Sequence, residues 1–270
     1  MCCLRISLRL CPEQSFTTFN EDTLKQAIID FLKPQVTDLG FASVDRFADA
    51  PEAHHPGRVC RNAGTVIVFG ITVPRGMLKS PDYNLYALHR TYHSAYTRID
   101  HIALDLCNYI ESQGKYLAVP IPSYAPMVFH QFEPWGLLSL KHAAVNAGLA
   151  SFGRSGQAYH PQYGALLRLG AVVTDAVIEA DPMLPPDPCP PNCTACSKVC
   201  PAKAFDTDGK FNKMTCLGHT IKHAIYPLAL SSEAGLKNIE RVINTAGHNY
   251  WIGCDECLKV CPLNVRKDHE

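Results

Sequence analysis

Cys189-Pro190-Pro191-Asn192-Cys193-Thr194-Ala195-Cys196-Ser197-Lys198-Val199-Cys200-Pro201 and Cys254-Asp255-Glu256-Cys257-Leu258-Lys259-Val260-Cys261-Pro262, with Cys216 between them, decide the reading of this 270-residue chain. Eight of its thirteen cysteines lie in these two runs and at Cys216, while Cys2, Cys3, Cys11, Cys60 and Cys107 are scattered through the first two-thirds. An odd count over a chain of this length fits a disulfide framework poorly. Clustered thiols point to metal instead, because a Cys-x-x-Cys sets two thiolates on one tight turn where both reach the same centre.

Each run ends in Cys-x-x-Cys-x-x-x-Cys-Pro, the spacing of bacterial ferredoxins, in which the last cysteine turns away to ligate the other cluster. The proline after it begins the next segment with a fixed φ. By that rule Cys189, Cys193 and Cys196 join Cys261 around one 4Fe-4S cluster, and Cys216, Cys254 and Cys257 join Cys200 around a second. Two four-thiolate zinc sites are the alternative, and the two Cys-Pro endings favour iron and sulfide. The three-residue gap between Cys189 and Cys193 departs from the usual two and makes Cys189 the least regular ligand. Such clusters move one electron at a time, at potentials set by hydrogen bonding and burial.

Upstream of the first run lies Asp181-Pro182-Met183-Leu184-Pro185-Pro186-Asp187-Pro188. Proline breaks regular structure here, so the run marks a boundary between a domain over 1–180 and a cluster module over 181–270. Within the first domain, helical periodicity covers 21–33, 84–112 and 136–148, and β-rich apolar runs cover 65–73, 117–121 and 165–174. Gly148, Gly153, Gly156 and Gly164 punctuate a loop and hairpin between the last helix and the last strand. Helices and strands without a regular βαβ rhythm predict an α+β fold.

Composition narrows the function classes. Lysine plus arginine equals aspartate plus glutamate at 25 each, which gives no electrostatic case for nucleic acid. No apolar stretch is long enough to span a bilayer, so no membrane role is expected. The N-terminus has no continuous apolar core or twin-arginine pair, which predicts a cytoplasmic protein.

Single residues are weaker signals. Tyr92 and His93 on the long helix are candidate proton donors or pocket residues, against an ordinary reading as core groups. Lys141 and His142 read as a solvated helix face or as functional groups. Cys60, between Arg58 and Arg61, has neighbours that would lower a thiol pKa, while Cys107 has the surroundings of a small hydrophobe. His219 and His223 share a helical spacing but lack a third ligand.

Lys141-His142-Ala143-Ala144-Val145-Asn146-Ala147-Gly148-Leu149 through Gly153, then Tyr163-Gly164 and Leu169-Gly170-x3-Thr174-Asp175, resembles the cofactor-domain signature of the epoxyqueuosine reductases. Tyr250-Trp251-Ile252-Gly253-Cys254 through Asn264 resembles their second cluster motif, and Arg90-Thr91-Tyr92-His93 is similar to an element of theirs with threonine in an acid's place. With the related reductive dehalogenases, that family implies a nitroreductase-like domain binding cobalamin, followed by the two-cluster module. It carries over Gly153, Arg154, Ser155, Tyr163, Gly164 and Gly253 as cofactor contacts, glycine suiting close backbone approach to a flat macrocycle. It also implies electrons from a reduced ferredoxin or flavodoxin-like donor. The segment corresponding to the family's catalytic acid, Val119-Pro120-Ile121-Pro122-Ser123, holds no aspartate, and the chain ends soon after the clusters. The expectation is therefore reduction of a small molecule rather than of epoxyqueuosine in tRNA, or relay of electrons to a partner corrinoid protein. Flavin in place of corrinoid follows only from fold analogy.

Overall fold

The run Thr65–Thr72 is β-branched and apolar without alternation because both its faces are covered. It is the second strand of a four-stranded antiparallel sheet of order β1-β2-β8-β3, formed by β1 (Asp38–Ser43), β2 (Thr65–Thr72), β3 (Ala118–Ile121) and β8 (Leu167–Thr174). The computed structural model describes residues 21–82, 85–124, 128–130, 133–220 and 254–264. Its other elements are α1 (Glu21–Leu32), α2 (Pro56–Val59), α3 (Gly76–Lys79), α4 (Leu85–Ser112), the hairpin β4 (Val128–His130) and β5 (Glu133–Trp135), α5 (Leu140–Asn146), the hairpin β6 (Ser151–Phe152) and β7 (Ala158–Tyr159), α6 (Ala195–Val199), α7 (Lys213–Thr220) and α8 (Glu256–Lys259). No helix among the described residues is long and apolar enough to cross a membrane.

Successive strand residues point to opposite faces, and the two cores divide accordingly. Ile67, Phe69, Phe41 and Val172 pack under Leu24 and Ile28 of α1 and Ile99, Leu106 and Ile110 of α4. Val66, Val68, Ala42 and Val173 pack against Ala143, Ala144 and Ala147 of α5. Each fully buried Leu, Ile or Phe contributes about 1.5–3 kcal/mol by leaving water. The sheet is thus the middle of three layers, and the α+β expectation holds.

Two elements differ from the sequence reading. β1 was not foreseen: Asp38-Leu39-Gly40-Phe41-Ala42-Ser43 has a central glycine and little β-branching, and its strand form comes from pairing with β2. The helix expected over 136–148 begins at Leu140, because the Ser139 hydroxyl accepts from the His142 amide and caps it there.

The proline-rich run is strapped to the first domain. Asp181 takes the Lys25 ammonium on one carboxylate oxygen at 2.8 Å and the Phe41 amide on the other at 2.9 Å. Its own amide donates to the Phe41 carbonyl at 2.9 Å, and Ser151 Oγ donates to the Pro185 carbonyl at 2.7 Å. These bonds lead the chain along the domain surface to the β6–β7 hairpin, where the first cysteines lie.

Candidate metal centre and adjoining cavity

A third apolar cluster joins the two parts. Val73, Leu88, Ala95, Ala165 and Leu166 meet Leu258 and Cys261, with Tyr92, Cys257 and Leu263 packed against them. Asn264 fixes this joint by accepting from the Ala165 amide and donating to the Leu258 carbonyl, both at 2.8 Å. Gly164 has φ +58, and a Cβ there would lie 2.2 Å from Asn264 Oδ1, so only glycine lets the two backbones meet.

Cys189, Cys193, Cys196 and Cys261 line one small cavity together with Arg154, Ser155 and Tyr159. This is the first set expected from the spacing. The extra residue between Cys189 and Cys193 is absorbed by a turn in which the Cys193 amide donates to the Pro190 carbonyl and Asn192 sits at φ +57. Proline followed by a left-handed asparagine is the pattern of a type II turn. The Arg154 amide donates to Cys189 Sγ at 3.4 Å, and the Ala204 amide to Cys200 Sγ at 3.4 Å. Amide bonds to sulfur of this kind tune cluster potentials.

The second set shows itself through its electrostatics. Burial first, then Cys254, Cys216, Cys196 and Cys200, pushes the Cys257 thiol up to about 12. Burial, then Cys200 and Cys254, raises Cys216, and burial leads again for Cys254, with Cys200 among the groups that add to it. Thiols crowded together in this way ionise only when a bound cation compensates their charge. Among the described residues no three His, Cys, Asp or Glu side chains are grouped as for a single metal ion.

A larger cavity of about 230 Å³ adjoins the joint, lined by Tyr96, Ser123, Leu138, Leu140, Lys141, Gln157, Leu167, Arg168 and neighbours. That size takes a small molecule and falls short of the usual range for a drug-sized ligand. Arg168 lies 4.5 Å over the Tyr92 ring and donates to the Ala165 carbonyl, while its Nε is buried with no partner. Lys141 opens to the cavity and donates to the Gly156 carbonyl at 2.9 Å. Burial, then the charges of Arg168 and Lys213, holds its ammonium below the ordinary lysine range, with Cys216 and Cys257 near enough to oppose this. The cavity therefore borders the second cysteine set.

The nominated residues fall in three places. Gly153, Arg154 and Ser155 form the β6–β7 turn and pack on the first cysteine set rather than line the larger cavity. A Cβ on Gly153 would lie 2.5 Å from the Tyr159 ring and 3.4 Å from Cys189 Sγ, Arg154 Nη1 donates to the Cys193 carbonyl at 2.5 Å, and Ser155 Oγ lies 2.9 Å from Tyr159 Oη. Tyr163 packs on His160, with ring centres 4.9 Å apart, and Gly164 sits at the joint. Gly253 lies outside the described residues, as do Cys2, Cys3, Cys11 and His223. Tyr92 is buried behind Arg168, its hydroxyl unpartnered and pushed up to about 12 by burial. His93 is buried among the rings of His89, Tyr96 and Tyr124. Neither Tyr92 nor His93 is among the residues lining the cavity, whereas Tyr96, one turn beyond Tyr92, is. Cys60 is a correction: burial, and next Asp175, raises its thiol, so the flanking arginines do not activate it. Cys107 is buried in the core as a small hydrophobe.

Comparison with known proteins agrees with this geometry. Residues 189–264 match the 4Fe-4S double cluster binding domain. An epoxyqueuosine reductase from Lactococcus garvieae is 35% identical over 122 residues, 45% of this chain and 30% of the relative. The solved Bacillus subtilis epoxyqueuosine reductase superposes with a TM-score of 0.60 at 22% identity, covering 93% of this chain and 68% of that one. A catabolic reductive dehalogenase superposes with a TM-score of 0.58 at 15% identity, covering 94% and 33%. The alignments with this and two further curated epoxyqueuosine reductases span about a third of those proteins' length. The fold is that of epoxyqueuosine reductases and reductive dehalogenases.

Proposed function

We propose that this chain is an iron–sulfur oxidoreductase with a cofactor-type domain over 1–180 and a cluster module over 181–270. Cys189, Cys193, Cys196 and Cys261 hold one 4Fe-4S cluster, and Cys200, Cys216, Cys254 and Cys257 hold the other. A corrinoid held at this larger cavity, facing Tyr96, Lys141 and Arg168, would supply the metal that passes their electrons to a small molecule. The observation that carries this reading is the pairing of sulfurs: one set lines a single cavity, and the other crowds together beside a ligand-sized cavity.

Electrons from a reduced ferredoxin or flavodoxin-like donor enter at the first set, whose cavity shares no lining residue with the larger one. They leave from the second set, which borders Tyr92 and Lys141. A bound corrinoid would supply a metal that is strongly nucleophilic when reduced, and the protein supplies orientation and electrostatics. Tyr92, raised to about 12 by burial, keeps its proton at neutral pH and lies behind Arg168, one turn from Tyr96 of the cavity lining. A reductive dehalogenase of similar fold bears on B12-dependent chemistry, which supports the corrinoid.

An epoxyqueuosine reductase of this fold has been solved with a modified tRNA stem loop. Equal numbers of acidic and basic residues therefore do not exclude nucleic acid as a partner, and the small-molecule substrate stands as a proposal to test.

Titrating the anaerobic holoprotein with cob(II)alamin, read by visible and electron paramagnetic resonance spectra, tests the cofactor. A saturable spectral shift at about one corrinoid per chain is expected on the one-site reading. Intact clusters with no shift would replace this reading by electron relay to a partner. Tight binding of a tRNA stem loop would displace the small-molecule substrate.

A further inference from the structure

Two cations face the larger cavity, Lys141 with Cys216 and Cys257 of the second sulfur set near it, and Arg168 with no carboxylate or thiol acting on it among the described residues. The cavity lining contains Arg168 and Lys141 and no aspartate or glutamate. The ion pairs of the described residues join Lys25 to Asp181, His160 to Asp38, and Lys259 to Asp255 and Glu256; none involves Arg168 or Lys141. Charged groups enclosed in protein are normally paired. The polar partners present are neutral: the Ala165 carbonyl and the Tyr96 hydroxyl for Arg168, and the Gly156 carbonyl for Lys141. The Arg168 Nε, buried and without a partner, is a donor left over for a ligand.

Arg168 is held for this role. Strand β8 otherwise reads Leu167, Leu169, Gly170, Ala171, Val172, Val173, and a charge among them is costly unless something uses it. The Tyr92 ring under the guanidinium fixes its plane. A planar guanidinium presents a fork of N–H donors that matches a carboxylate or phosphate. Lys141 comes from α5, on the other side of the cavity lining, as a mobile point charge. Around them Leu138, Leu140, Leu167 and Leu169 supply apolar wall.

We propose that this cavity binds a small organic anion, its carboxylate or phosphate held by Arg168 and Lys141 and its apolar body against the leucines. The proposal rests on the reading of the cavity as the site of reduction and names the class of molecule it takes.

The test uses the anaerobic full-length protein with its clusters, titrated calorimetrically with benzoate, its neutral isostere benzamide, and phenyl phosphate. Benzoate or phenyl phosphate is expected to bind at least about tenfold tighter than benzamide, as charge-assisted hydrogen bonds allow. The tighter of the two anions identifies the group. Arg168→Met should abolish the preference. Lys141→Met should reduce it severalfold. Equal affinity for benzoate, phenyl phosphate and benzamide, or a preference that survives both substitutions, would overturn the proposal. Iron content and the visible spectrum are read on every sample. Intact clusters without anion preference sink the anion site alone, whereas absent clusters sink the redox reading whatever the anions do.

Discussion

Tyr92 carries a hydroxyl that is buried and unpartnered. Removing an unsatisfied buried polar group is nearly neutral for stability, so Tyr92→Phe should leave the melting temperature within a degree or two of wild type (about 0.5 kcal/mol). If Tyr92 donates the proton, the same variant loses about a hundredfold or more in turnover; unchanged turnover would remove it from the chemistry. Asn264 behaves oppositely. Its two bonds satisfy the Ala165 amide and the Leu258 carbonyl across the joint, and Asn264→Ala leaves both unpaired at about 1–3 kcal/mol each. Thermal unfolding and iron retention on gel filtration would show the loss. The sequence exposed these residues unequally. Cysteine spacing pointed to the four sulfurs that line one cavity, because ligation demands fixed local turns. Tyr96 and Arg168 were overlooked, although a lone arginine in the apolar run 165–174 was a readable signal. The turn residues Gly153, Arg154 and Ser155, expected as cofactor contacts, lie against the first cysteine set, since a motif shows that a backbone approaches something closely but not what it approaches.

β2 and α4 were legible because burial writes itself as an unbroken apolar run or as helical spacing, with Ile99, Leu106 and Ile110 all inward. β1 was not, because Gly40 and Asp38 suit a strand only once β2 is beside them. The proline-rich run was legible as a boundary but not as a strap, since its anchors Lys25, Phe41 and Ser151 are distant in sequence. Asp181→Ala removes two of those anchors and should make the 181–188 run cleavable by protease while the sheet core persists; resistance equal to wild type would mean the strap is held elsewhere. Acid should loosen the same domain. The His160 hydrogen bond holds the Asp38 carboxyl below its usual pKa. A depressed carboxylate stabilises the fold fully above its unfolded pKa of about 4 and loses that contribution as pH falls through the folded value. Asp38→Asn should therefore flatten the acid limb of a stability profile below about pH 4.

The whole molecule combines a three-layer α+β domain, a strap, and a cysteine module docked by Leu258, Cys261 and Asn264 against Ala165 and Leu166. This arrangement sets one sulfur group at the strap's end and the other beside the cavity. Everything chemical depends on what those sulfurs hold. Mössbauer spectroscopy with iron, sulfide and zinc analysis of the anaerobically purified protein measures it. Two cubane clusters, about eight irons and eight sulfides per chain, are predicted, with Cys196→Ser and Cys257→Ser each reducing a different half of the signal. Stoichiometric zinc with little sulfide, or one cluster lost equally in both variants, would contradict it.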